Sequence, residues 1–202
     1  MNMFIPDYFR NSDIQTCLRL MRENPFAYFV SAVEGKVMFT PLPAVIEEAS
    51  GKVIIYAHMA AMNAHSRYIE KAPMTVIFMG PHHYVSPRWY VDPRSVPTWN
   101  YALVVAKGDA AVLDHEDTLK LLKKLSDIFD PEWSSLEKER EEYYQKMVPQ
   151  IVAFKLICDT VEGKFKLSQN HPVEDRRQVV AELERSDHEG KLMADLMRRT
   201  VL

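Results

Sequence analysis

Apolar positions along the chain follow two periods, and the changes between them mark out its elements. Ile14, Cys17, Leu18, Leu20 and Met21 recur at helical spacing behind Ser12, and Gln15 stands three residues on from that serine. This predicts a capping box and a first helix running to about Asn24, where Pro25 stops it. Phe26–Val33, Val37–Ile46 and Lys52–Ala57 are rich in β-branched and aromatic residues, separated by Glu34-Gly35 and Ser50-Gly51. They predict strands joined by tight turns, with Pro41 and Pro43 putting the second at a sheet edge or in a bulge. Short strands with Gly turns predict a meander closing into a barrel.

The pattern then becomes mixed. His58–Tyr68 begins with small and polar residues and predicts a helix N-terminus beside a strand end, a place where free N–H groups favour an anion. Met74–Met79 is an apolar strand. Tyr101–Asp114 is a long strand that Gly108 bends or bulges. Glu116–Phe129 is a helix through Leu119, Leu122, Leu125 and Phe129, and a third helix opens at Pro131-Glu132-Trp133-Ser134 and ends near Pro149. Ile151–Cys158 and Val161–Leu167 are extended, followed by helices Val173–Arg185 and Glu189–Arg199. Met1–Arg10 reads as an extended arm. The fold class is mainly β with added helices (α+β). A β-barrel domain occupies 1–170, with helices inserted at about 116–149, and a helical appendage occupies 171–202.

Between two strands lies Gly80–Tyr101, GPHHYVSPRWYVDPRSVPTWNY, with four prolines, two tryptophans, three tyrosines and two adjacent histidines. Proline works against regular helix here, and rings with polar tips seek partners when buried. The stretch reads as the wall of a binding site, or as a rigid loop capping a barrel end or forming a subunit interface. Two further patches, His58–Arg67 and Lys164–Pro172, also stand at strand ends. Lys164, Lys166, Ser168, Gln169 and Asn170 offer cations and amides, while Trp89, Tyr90 and Trp99 offer stacking surface. Together they suit a flat, phosphorylated cofactor. The alternative is that KLSQN merely ends a strand and starts a helix.

Composition narrows the classes. At 202 residues, 47% hydrophobic and 26% charged, the chain can bury one ordinary core. No run approaches the roughly 18 apolar residues of a membrane span, and the start lacks a signal-peptide core, so the expected location is the cytoplasm. Cys17 and Cys158 are too few for a disulfide framework. His58 and His65 are seven apart, and neighbouring His82 and His83 would point to opposite faces of a strand, so no metal site is expected. GxSxG, P-loop and GxGxxG motifs are all missing. From Lys155 to Leu202 nine basic residues face nine acidic ones, which leaves no basic footprint for DNA.

IPDYFR, HMAAMN, GPHHYVSPRWY, VPTWNY and EGKFKLSQNHP, in that order, resemble the PaiB family over Met3 to about Leu183. These are bacterial FMN-binding split-barrel proteins named for a negative transcriptional regulator of protease synthesis and sporulation. The resemblance implies an FMN-binding split β-barrel of the flavin-reductase and pyridoxamine-oxidase type, a homodimer with FMN at the subunit interface. By that resemblance His58, Ala60, Ala61 and Asn63 meet the phosphate end. Ser86, Trp89, Trp99 and Asn100 approach the ring or ribityl chain, and Lys166, Ser168, Gln169 and Asn170 complete the site. The chain departs from the family at Ala61, where a basic residue is usual, at Ser66, where an aromatic is, and at Pro41, where a His commonly precedes Leu-Pro. Losing a charge that pairs with phosphate would cost about 1.5–3 kcal/mol, roughly ten- to a hundredfold in affinity. The implied function is a PaiB-like regulator. Alternatives are a flavin-dependent oxidoreductase acting on a small molecule and a cofactor-free interaction protein. Direct DNA contact would need a dimer to assemble Arg176, Arg177, Arg198 and Arg199, or a partner.

Overall fold

The first helix, α1 (Ile14–Glu23), is capped by Asp13 and not by the expected Ser12. The Asp13 carboxylate accepts from the N–H groups of Gln15 and Thr16, both at 3.1 Å. The Thr16 hydroxyl, then the Gln15 N–H, hold that carboxyl below the usual Asp range. Two acceptor oxygens reach two orphan donors at once, which a serine cannot do. Cys17, Leu18, Leu20 and Met21 are buried, as the periodicity requires.

The computed structural model describes residues 3–91, 94–132 and 141–202. Eight strands form one antiparallel sheet: β1 (Arg10–Asn11), β2 (Phe26–Val33), β3 (Lys36–Pro43), β4 (Val45–Ala49), β5 (Lys52–Ala60), β6 (Met74–Val85), β7 (Thr98–Val112) and β8 (Ile151–Lys166). The order is β3-β2-β6-β7-β8-β5-β4, with β1 on β8. Among the described residues, the helices after α1 are α2 (His115–Phe129), α3 (Glu141–Met147), α4 (Val173–Glu184) and α5 (His188–Val201). Strand β3 is terminal in the order, the edge position its prolines demand. Glu34-Gly35 and Ser50-Gly51 both have positive φ, the two-residue hairpin geometry that matches strand twist.

Several boundaries differ from the sequence expectation. The strand expected over Val37–Ile46 is two, broken at Ala44, whose N–H turns to the Pro25 carbonyl. Strand β5 runs on to Ala60, so His58 and Ala60 are strand residues and not the start of a helix. The helix expected there is one 3-10 turn, Ala64–Tyr68. Strand β6 continues past Pro81 through Val85, where Tyr84 and Val85 are strand-favouring residues. The two segments expected at Ile151–Cys158 and Val161–Leu167 are one 16-residue strand. Of the helix expected from Pro131 to Pro149, residues 133–140, including Trp133 and much of the EKEREE run, lie outside the described residues.

The chain forms two compact units. The first comprises Met1–Glu23, Met79–Val104 and Glu162–Leu202, the second Asn24–Phe78 and Val105–Val161. In the first, α1 buries Leu18 and Met21, and α4 and α5 bury Val179, Leu183, Met193 and Met197. Arg199 of α5 makes a bidentate pair with Glu23 at 2.7 and 2.8 Å. In the second, Phe29 and Phe154 meet edge to face at 5.6 Å among Ile55, Met59, Phe78 and Leu156. Helix α2 in this unit is capped by Asp114, which accepts from the Asp117 N–H at 2.8 Å. Asp114→Ala is expected to cost about 1 kcal/mol, read as a lower urea midpoint with an unchanged slope.

Candidate functional site

The candidate residues divide between the units: Ser86, Trp89, Trp99, Asn100, Lys166, Ser168, Gln169 and Asn170 in the first, His58, Ala60, Ala61 and Asn63 in the second. In the first unit, the start of β7 and the end of β8 come together. Asn100 is 0% exposed and shares two hydrogen bonds with Ser168, donating to its hydroxyl at 3.0 Å and accepting from it at 3.2 Å. Ser168 is itself buried and sits at φ 63, a left-handed conformation that a serine holds only when its surroundings over-determine it. Its carbonyl accepts from the His171 N–H at 3.0 Å, turning the chain toward α4. Gln169 folds back on its own turn, accepting from the Leu167 N–H at 2.6 Å and donating to the Phe165 carbonyl at 2.5 Å. These polar atoms therefore serve the fold, whereas Asn170 is exposed.

Lys166 is half-buried. Its ammonium donates to the Trp99 carbonyl at 2.7 Å and to the Thr98 hydroxyl, and lies 5.7 Å from the Phe9 ring. Burial, and then the charge of Lys164, push its pKa below the ordinary lysine value. Ser86 caps the short 3-10 turn Pro87–Trp89. His82 and His83 point to opposite faces of β6, as adjacent strand residues must. One stacks on Trp99 at 6.1 Å, the other on Trp89 at 6.3 Å. Trp99 is 54% exposed. With Met79, His82, Tyr101 and Leu103 it lines an open, mainly apolar groove of about 370 Å³.

In the second unit the corner after β5 is tightly hydrogen-bonded. The N–H groups of Ala61, Asn63, His65 and Ser66 go to the Gln150 carbonyl, the Ala60 carbonyl, the Asn63 side chain and the Asn63 carbonyl. Ala61 contributes no charge. His58 Nδ1, in contrast, is buried with no hydrogen-bond partner among the described residues. His65, absent from the candidates read in the sequence, is 1% exposed and pins the corner in place. Its ring nitrogens lie 3.0 Å from the Thr40 hydroxyl and 3.2 Å from that of Ser31, and Asn63 donates to the same Thr40 oxygen.

Burial pushes the pKa of both His58 and His65 below the ordinary histidine value. The folded chain then binds fewer protons than the unfolded chain once pH drops below about 6.5. The stability this represents is present above that pH and is lost as pH falls toward the lowered folded values. Urea midpoints should therefore fall between pH 7.5 and 5, and His65→Gln should flatten that dependence.

Residues 3–160 match the family model described as "Putative FMN-binding domain". The chain is also 30% identical over 203 residues, 96% of each protein, to "Protease synthase and sporulation protein PAI 2" of Bacillus subtilis. The chain belongs to the PaiB family. Among solved structures, this PaiB-family chain resembles the FAD and haem binding protein of Mycobacterium smegmatis (TM-score 0.62, 16% identity, 84% of this chain and 78% of that one). It equally resembles the flavocytochrome Anf3 of Azotobacter vinelandii (TM-score 0.62, 18% identity, 86% and 78%). At such identities the likeness speaks to the fold alone, a split β-barrel with added helices. No helix among the described residues is long and apolar enough to cross a membrane.

Proposed function

We propose that this PaiB-family protein binds FMN with the flavin ring against the Trp99 groove of its first unit, and that it acts as a PaiB-like negative regulator of transcription. The observation that carries the reading is the match to an FMN-binding family over most of the chain, joined to an exposed tryptophan at the edge of an apolar groove. A flat aromatic ring system needs such a face, and Trp99 with Tyr101, Met79 and Leu103 supplies it. When bound, the flavin supplies redox chemistry that no side chain here can. The protein's part is to bind and orient it. Lys166 stands ready for a carbonyl-edged ring or a negative charge, whereas Asn100, Ser168 and Gln169 support the wall on which Trp99 sits. In the second unit, His58 Nδ1 is a buried ring nitrogen with no hydrogen-bond partner among the described residues.

A homodimer fits the exposure of Met79, Tyr84 and Trp99, which a second copy would cover. For regulation, the arginines best placed in the sequence to meet DNA are largely engaged within the chain. Arg198 pairs with Glu184, Arg199 with Glu23 and Asp195, and Arg176 donates to the Val201 carbonyl. Regulation in this reading works through the dimer or a protein partner. Gel shifts at low ionic strength test it. Specific, salt-sensitive shifts by the isolated protein would require a direct DNA surface, and none at any salt would leave the partner route.

A further inference from the structure

We infer that the second unit carries a binding site for a small organic anion, a carboxylate on a flat apolar body, between α2 and the strands β4, β5 and β8. A cavity of about 220 Å³ opens there, lined by residues from all four elements. Its floor is apolar. Leu121 of α2 belongs to a buried cluster with Val45, Leu125 and Ala153, and Tyr56 and Leu113 pack against that cluster. Above the floor stand three lysines and two carboxylates. Two of the lysines are already matched. Lys124 pairs with Glu47, and Lys120 pairs with Glu116 at 2.8 Å and Asp117 at 3.1 Å.

Lys155 is different. It lies directly opposite Tyr56 in the β5–β8 register, so both side chains share one face of the sheet. Both are half-buried, and neither the ammonium nor the phenol makes a hydrogen bond or ion pair among the described residues. A partly desolvated cation with an unengaged hydroxyl beside it, over an apolar floor, is complementary to a carboxylate whose body is aromatic or branched aliphatic. Inorganic phosphate would leave the floor unfilled, and the mouth already carries Glu47 and Asp117, which oppose a doubly charged anion. The site owes nothing to the Trp99 groove, and none of its residues is among those placed against FMN.

Benzoate is the probe, with benzamide as its uncharged counterpart and inorganic phosphate as the anion without an apolar body. Each is titrated into the full chain at a fixed FMN concentration, and amide NMR shifts are followed. Benzoate should saturably shift Tyr56, Leu121 and Lys155, and neither benzamide nor phosphate should do so at the same concentrations. Lys155→Gln should weaken benzoate by about tenfold. Tyr56→Phe, which keeps the ring in place, should weaken it severalfold and guards against a Lys155 variant that folds poorly. Equal response to benzoate and benzamide, binding of phosphate at the same residues, or variants that bind benzoate like the parent would each overturn the proposal.

Discussion

Gly108→Ala should destabilise the fold by about 3 kcal/mol or more, a fall in melting temperature of roughly 6–12 °C for a chain of this length. Gly108 is buried within β7, where a Cβ would lie 1.9 Å from the Ile157 carbonyl oxygen and 2.8 Å from its carbon. The obstacle is backbone, not the movable end of a side chain. Relief would need β7 and β8 to move apart, and β8 also pairs with β5 from Ile54↔Ile157 to Ala60↔Ile151. Packed strands cannot absorb such a shift locally. A thermal melt reads the effect, and an unchanged midpoint would contradict the close approach.

Trp99→Ala should weaken FMN by roughly 5- to 150-fold, since stacking a planar heteroaromatic ring on an aromatic side chain is worth about 1–3 kcal/mol. Trp99→Phe should retain most of the affinity, because it keeps a ring face. Asn100→Ala acts through the wall: it leaves the buried Ser168 hydroxyl without its amide partner, so its first effect is on stability. Lys166→Ala removes the half-buried cation. If all three left both FMN affinity and dimerisation unchanged, Gly80–Tyr101 would not be the binding wall.

What was legible in the sequence were features fixed by near neighbours. The core face of α1, both positive-φ hairpins and the edge placement of a strand with two prolines all follow from local chemistry. Features fixed at a distance were not. Pro81 looked like the end of a strand, yet β6 runs on to Val85. Asp159-Thr160 looked like a break, yet β8 passes through them. The pinning role of His65 depends on Ser31 and Thr40, 34 and 25 residues away, and HSRY carries no trace of either. Within the candidate site, the motif KLSQN pointed to polar side chains, but their direction is a tertiary fact. The Ser168 hydroxyl pairs with Asn100 of β7 and Gln169 satisfies its own turn, while Trp99 and Asn170 face out. Gly108 shows both sides: the sequence indicated a bend, and the physical need is close approach of a neighbouring strand.

The most direct measurement is a titration of FMN into the protein and its Trp99→Ala variant, followed by flavin fluorescence. Saturable quenching with one FMN per chain in the parent, much weakened in the variant, is the predicted result. No saturable binding by the parent, or the same affinity in both proteins, would contradict a flavin held on the Trp99 groove.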